Sequence, residues 1–392
     1  MPLALFALTI GAFAIGTTEF VIVGLVPTIA QQLSISLPSA GLLVSIYALG
    51  VAIGAPVLTA LTGRMPRKQL LLALMVLFTA GNILAWQAPG YETLILARLL
   101  TGLAHGVFFS IGSTIATSLV AKEKAASAIA IMFGGLTVAL VTGVPFGTFI
   151  GQHFGWRETF LAVSILGVIA LISSLILVPN NIPGRASASL RDQLKVLTHP
   201  RLLMIYAITA LGYGGVFTAF TFLAPMMQEL AGFSPSAVSW ILLGYGVSVA
   251  IGNVWGGKLA DKHGAVSALK FIFAALVLLL LVFQLTASVH YAALAMGVFA
   301  FGNVPGLQVY VVQKAEQYTP GAVDIASGLN IAAFNIGIAL GSIVGGQTVE
   351  RYGLAQTPWI GAMIVLVALL LVVLSGRLDK LPRRSAALSP EG

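Results

Sequence analysis

The chain is 392 residues long, 58% hydrophobic and only 8% charged, with a mean hydropathy of +1.00. A soluble domain carries about 25% charged residues, so this composition excludes an ordinary soluble protein and fits a chain whose main solvent is lipid. The absence of cysteine excludes disulfides and thiolate metal or redox centres, and the net charge of +8 follows a membrane-orientation pattern rather than one of nucleic-acid binding.

Residues 1–30 lack the basic start of a signal peptide, their apolar run is too long, and another run follows at once. They are predicted as the first of twelve spans of about 20 apolar residues each. The spans are 3–29, 40–62, 70–88, 93–118, 125–150, 159–178, 202–225, 238–260, 266–287, 291–312, 323–347 and 357–376, separated by turn-rich breaks such as QAPGYE and GFSPSA. The predicted fold class is an all-α integral membrane protein.

Seventeen of the 20 Lys and Arg residues fall at one set of span ends; Arg157 and Arg351 lie at the other, and Arg98 lies inside span 4. The positive-inside rule then predicts two cytoplasmic termini. The longest charged connection, 179–201, divides the chain into an N-terminal six-helix bundle (1–178) and a C-terminal one (202–376), with a disordered polar tail expected at 377–392. The halves echo each other. Gly143, Gly147 and Gly151 close span 5, and Gly337, Gly341 and Gly345 close span 11. Their direct role is close helix packing, and their recurrence points to duplicated halves that rock about a central site.

Glu19 is the only Asp, Glu, Lys or Arg in the first 63 residues. It sits about 24 Å along the helix from Leu3, inside the hydrocarbon, where an ionised carboxylate costs several kcal/mol unless it is paired or faces water. Ala12 and Gly16 share its stripe, so that face can approach another helix. Arg98 enters span 4 at a similar depth, and His105, seven residues on, shares its face. Glu19 is therefore expected to exchange a proton under the control of Arg98; the competing possibility is a static Glu19–Arg98 pair that fixes packing. His105 is a weaker candidate, for a relay or a substrate contact, against the common role of an intramembrane histidine as a hydrogen-bonded packing residue. The candidate cavity residues are Tyr47 and Phe109 in the first half and Tyr213, Phe217, Tyr245, Asn303, Gln308, Asn330, Phe334 and Asn335 in the second. An apolar cavity with a few amides and aromatics suits a neutral or amphipathic small molecule. The scattered histidines give no metal site.

Several short stretches carry a family resemblance. GKLADKHG, with Gly257, Asp261 and Gly264, resembles the loop signature of the major facilitator superfamily. Its first-half counterpart, LTALTGRMPRKQLL, keeps Arg64, Arg67 and Lys68 but has Gly63 where the signature carries Asp. RLLTGLAHG, with Gly102 and Gly106, is similar to the family's span-4 motif. TGVPFGTFIG, with Gly143, Pro145 and Gly147, is similar to its antiporter motif in span 5. GTTEF resembles the twelve-helix drug:proton antiporter branch, and most of all the bacterial sugar, arabinose, nucleoside and chloramphenicol efflux permeases. The resemblance runs along essentially the whole chain. It implies the major facilitator fold of two pseudo-symmetric six-helix bundles, and proton-coupled antiport of a small organic solute out of a bacterial cytoplasm across the inner membrane.

No cofactor is expected, because no G-x-x-x-x-G-K-[ST] loop is present and a proton gradient suffices. The expected partners are a small-molecule substrate, protons and the lipid bilayer, with no nucleic acid, and the protein is expected to be a monomer. An uptake symporter on the same fold is the alternative. A membrane-embedded enzyme is remote, since Ser110 and His105 on one helix make a poor nucleophile–base pair. Paired repeats with a midplane acid argue against a channel.

Overall fold

In hydrocarbon an unpaired peptide group costs several kcal/mol, so each apolar run closes its hydrogen bonds within a helix. A computed structural model describes residues 2–58, 61–62, 65–121, 125–182, 190–285 and 289–380. In it, twelve helices are long and apolar enough to cross a membrane. They are α1 (Leu3–Leu33), α2 (Leu37–Leu58), α3 (Arg67–Trp86), α4 (Tyr91–Ser118), α5 (Ala130–Phe154), α6 (Trp156–Leu177), α7 (Pro200–Leu230), α8 (Pro235–His263), α9 (Ala265–Phe283), α10 (Tyr291–Tyr318), α11 (Ile325–Tyr352) and α12 (Leu354–Leu378). Each sequence-predicted span falls on one of them. The ends of α10 and α11 run past the predicted limits because QKAEQY and GGQTVERY continue the helix into polar residues, where hydropathy gives no signal.

Local chemistry sets many of the ends. Ser36 and Ser234 cap α2 and α8 by accepting from Ser39 N and Ala237 N, each followed by a proline in the first turn. Three prolines lie in or beside wide turns. Pro56 lies within the π-turn Gly54–Leu58, Pro145 follows the π-turn Ala139–Gly143, and Pro225 precedes the π-turn Met226–Leu230. A π-turn is one way for a helix to absorb the missing N–H and the ring clash of a proline without breaking.

Glycines place the helices. Gly143, Gly147 and Gly151 of α5 pack on Thr17, Val21 and Leu25 of α1, four residues apart on each side. Gly337, Gly341 and Gly345 of α11 pack in the same register on Ala210, Gly214 and Thr218 of α7. The crossing of α2 with α4 is as tight: Gly102 and Gly106 lie against the carbonyls of Tyr47 and Val51. Its counterpart joins α8 and α10, where Gly252 and Gly256 lie against the carbonyls of Val298 and Gly302. The duplicated halves read from the sequence are thus realised as matching helix crossings.

The halves meet through α2 with α11 and through α5 with α8. Ser45 Oγ donates to Ala339 O at 3.0 Å, and Ser239 Oγ donates to Gln152 Oε1 at 2.9 Å. Phe222 of α7 fills the space left by Gly41 of α2, Gly346 packs on Pro38, and Gly246 of α8 rests on the Leu140 carbonyl in the α5 π-turn. All of these contacts lie between the middle of the helices and the end away from the basic residues. Exposed Trp and Tyr side chains mark that same end: Trp240, Tyr291, Tyr352 and Trp359, as expected at a membrane–water boundary.

Two connections differ from expectation. A short helix, Leu190–Thr198, forms within the predicted linker. The start of the predicted disordered tail is ordered, because Arg377 and Leu378 complete α12 and Asp379 is tied down by side chains described below; residues 381–392 of that prediction lie outside the described residues.

Candidate functional site

Glu19 lies midway along α1 and is 9% exposed. The tight α2–α4 crossing brings His105 toward it, with His105 Nδ1 3.8 Å from Glu19 Oε2. That separation is too long for a hydrogen bond but short enough for an ion pair once the imidazole carries a proton. The same Nδ1 lies 2.9 Å from the Tyr47 hydroxyl. One turn on, the Phe109 ring sits 4.9 Å from His105 and 4.9 Å from Phe133 of α5. Glu19, Tyr47, His105 and Phe109 are thus brought together; for His105 the sequence pointed there only through the helix face it shares with Arg98. Gly16 packs on Leu136 and Ala139, so its face of α1 does approach another helix.

Arg98 meets the main chain of Glu19 rather than its carboxylate, so the static pair does not form. Its guanidinium donates to the main-chain carbonyls of Thr18 at 2.6 Å, Glu19 at 3.4 Å and Leu43 at 3.2 Å, and its Cζ lies 4.2 Å from the Tyr47 ring centroid. No ion pair within 4 Å joins it to the Glu19 carboxylate. The physical reason is the close approach of α2 and α4 at Gly50 and Gly102, which leaves buried main-chain carbonyls of α1 and α2 within reach of the guanidinium fork. At 1% exposure, such donors must be spent somewhere. Thr18 adds a cross-helix bond from its Oγ1 to Asn82 Oδ1 at 2.8 Å.

The residue after Glu19 reaches into the other half. The Phe20 ring lies 6.5 Å from Phe217 and 6.0 Å from Phe301. Tyr213 joins Phe217, Phe301 and Phe334, at 5.3, 5.6 and 4.9 Å. Phe220 then connects Phe217 to Tyr245, stacked at 4.8 Å. Sequence reasoning named Tyr213, Phe217, Tyr245 and Phe334 but missed Phe20, Phe220 and Phe301. Among so many apolar residues a phenylalanine carries no distinguishing signal, although the position next to Glu19 was one available clue.

The amides divide into two groups. Gln308 and Asn330 belong to a closed network: Thr209 Oγ1 donates to Asn330 Oδ1 at 2.7 Å, Asn330 Nδ2 donates to Gln308 Oε1 at 3.0 Å, and Gln308 donates to Ser327 Oγ. Their capacity goes to holding α7, α10 and α11 together. The Tyr245 hydroxyl, both amide atoms of Asn303 and Asn335 Oδ1 are buried without a partner. An unpartnered buried polar atom costs about 1–3 kcal/mol, which a bound solute can recover. Among the described residues, no three His, Cys, Asp or Glu side chains gather as metal ligands.

The profile of the Major Facilitator Superfamily matches residues 8–323. The chain belongs to the Major Facilitator Superfamily. It is 52% identical over 387 residues to the MFS-type transporter YtbD of Bacillus subtilis (strain 168), covering 98% of each chain. It is 42% identical over 377 residues to the inner membrane transport protein YdhP of Escherichia coli (strain K12), covering 95% of this chain and 96% of YdhP. Two solved structures share the fold. One is a bacterial homologue of the human lysosomal transporter Spinster in an inward-facing, unoccupied conformation (TM-score 0.74, 17% identity, 95% and 96% covered). The other is the nucleoside transporter NupG (TM-score 0.77, 14% identity, 95% and 99% covered). The protein is therefore a multi-pass major facilitator transporter of a small molecule across a bilayer, and not an enzyme.

The loop motifs of this superfamily member sit at the basic end. Arg64 lies outside the described residues. Arg67 opens α3, and Lys68 donates to the Leu175 carbonyl at 2.8 Å. Gly257 and Asp261 lie on the last turns of α8, Asp261 is exposed, and Gly264 ends the helix at φ +82°, a conformation that favours glycine. The polar cluster at this end has another acid, which sequence reasoning missed. Asp379 pairs with Arg201 of α7 and with Lys314 of α10 at 2.7 Å, and accepts from the Tyr310 hydroxyl at 2.9 Å. Burial works to raise the Asp379 carboxyl. The hydrogen bonds from Lys314 and Tyr310 and the charges of Lys314 and Arg201 outweigh it, holding the group below the usual carboxylate range.

Proposed function

We propose that this transporter is a proton-coupled antiporter that exports a small organic solute, such as a sugar, nucleoside or drug, by alternating access. The observation that carries the reading is the placement of Glu19. The one acid of α1 faces a histidine on one side and is followed by Phe20, which enters an aromatic cluster shared by the two halves. A proton and a ring-bearing or amphipathic solute then meet at one point, where charging Glu19 changes the site the solute sees. In this reading Phe20, Phe109, Tyr213, Phe301, Phe334 and the open acceptor of Asn335 line the solute site. Gln308 and Asn330 act as scaffold.

The basic helix ends, with the termini, face the cytoplasm, and the exposed aromatics mark the outer boundary. The cross-half contacts at Pro38, Gly41, Ser45, Gln152 and Ser239 then lie on the outer side, and in this reading the site is loaded from the cytoplasm. The proton gradient supplies the driving force, no nucleotide or cofactor takes part, and one chain is the working unit. The antiporter-type stretch Gly143–Pro145–Gly147 supports export, since its π-turn rests on Gly246 of the opposite half, where a helix can hinge.

The test is cellular accumulation of labelled sugars, nucleosides, chloramphenicol-like drugs and lipophilic cations, with and without a protonophore. Wild type is expected to lower accumulation of one class, a protonophore to abolish the effect, and Glu19→Gln to lack it. Raised accumulation would make the protein an importer. Export by Glu19→Gln at the wild-type rate would remove Glu19 from coupling.

A further inference from the structure

His105 Nδ1 has two neighbours that cannot both use it. The Tyr47 hydroxyl sits at 2.9 Å and the Glu19 carboxylate at 3.8 Å. In the neutral imidazole tautomer with its proton on Nε2, Nδ1 carries a lone pair and accepts from Tyr47. When a proton leaves Glu19 Oε2 and binds Nδ1, the lone pair is consumed. Nδ1–H now faces a carboxylate, and the Tyr47 hydroxyl has lost its acceptor. One proton has moved, one hydrogen bond has broken and one ion pair has formed.

Tyr47 is also placed to report that change. It lies on α2, its ring carries the Arg98 guanidinium, and two residues before it Ser45 donates to Ala339 O in the other half. The repeated architecture supplies an internal control. In the second half, Gly297 approaches the Tyr245 carbonyl as Gly102 approaches that of Tyr47. The positions matching Arg98 and His105 are then Ala293 and Ala300, and the Tyr245 hydroxyl has no partner. The helix crossing therefore exists without a Tyr–His bond, so the bond in the first half is not there to hold the crossing.

We propose that Tyr47 is the positioning residue that couples the proton on the Glu19–His105 pair to the α2–α11 contact between the halves. The inference rests on the proton-coupled reading above. The titratable and charged groups facing this point are Glu19 from α1, Arg98 and His105 from α4, and Tyr213 across the interface from α7.

The experiment needs no known solute. The chain has no cysteine, so Ala121→Cys and Lys262→Cys, at exposed positions on the basic end of each half, give a clean spin-label pair. Distances are measured in lipid nanodiscs from about pH 5 to about pH 9, in three further backgrounds: Tyr47→Phe, His105→Gln and both together. Tyr47→Phe removes one oxygen and keeps the ring on Arg98. Wild type is expected to redistribute between two distances with a single pH midpoint. Tyr47→Phe should move that midpoint by about one unit, the size of one hydrogen bond, and should have no further effect once His105 is Gln. An unchanged midpoint in Tyr47→Phe, or the same displacement with and without His105, overturns the role of Tyr47 alone. A wild-type protein whose distances ignore pH overturns proton coupling and this role with it.

Discussion

Arg98 shows how a buried charge can serve a helix pair rather than a partner charge. Three hydrogen bonds to main-chain oxygens, each worth about 1.5–3 kcal/mol when the donor is charged, tie α4 to α1 and α2. Lysine keeps the charge but not the planar fork, so Arg98→Lys is expected to lower the melting temperature in detergent, with a stability loss of about 2 kcal/mol or more; an unchanged melting temperature would count against this role. The sequence exposed Glu19, Arg98 and His105 because ionisable residues in hydrocarbon need a reason. It did not reveal that Arg98 prefers backbone to carboxylate, since backbone acceptors have no signature in the letters. Asp379 was hidden for a different reason: it falls just past the last apolar run, among residues that look like a tail. Its carboxyl sits below the ordinary range, so its contribution is present above about pH 4 and is lost as pH falls through the lowered value. Asp379→Asn should therefore melt earlier than wild type at neutral pH, by about 2 °C, and the gap should shrink as pH falls below the ordinary carboxylate range. A gap that persists in acid would show that charge is not what Asp379 supplies.

At the scale of helices, the glycine spacing was the most informative feature of the sequence. Four-residue repeats in α5 and α11 announced close packing, and they pack on α1 and α7 in one shared register. What the spacing did not give was the partner helix, because small residues permit approach without naming what approaches. At Gly102 the neighbour is the Tyr47 carbonyl, a backbone atom that has no rotamer in which to yield. Gly102→Ala is thus expected to cost about 1–3 kcal/mol and to push α2 away from α4, readable as a lower melting temperature. Tolerance without loss would mean that the crossing is looser than described. The π-turns were not legible at all. Proline marks a disturbance, but whether a helix kinks, breaks or widens is settled by the surrounding packing.

For the molecule as a whole, hydropathy recovered twelve spans because the bilayer punishes every other backbone arrangement. Which ends of the halves touch is a different kind of fact. It depends on pairs far apart in sequence, such as Pro38 with Gly346 and Ser45 with Ala339. A Cβ at 346 would sit 3.3 Å from that of Pro38, close to disulfide range, so Pro38→Cys with Gly346→Cys should cross-link under oxidant. If alternating access requires this end to open, oxidation stops transport and reduction restores it. Undiminished transport by the fully cross-linked protein would refute the rocking of these halves about α2 and α11.

The bonding of Arg98 has a practical consequence for finding the cargo. The groups that hold α1, α2 and α4 in place contact the main chain at Glu19 and not its carboxylate, so neutralising that side chain leaves the scaffold's fastenings untouched. Glu19→Gln should accordingly purify as a stable, fully assembled protein. If Glu19 carries the coupling proton as proposed, glutamine holds the site in its neutral form, and ligands can be screened against that single form. Thermal-shift screening against a metabolite library, followed by calorimetry on the hits, then becomes a direct route to the compound this protein moves.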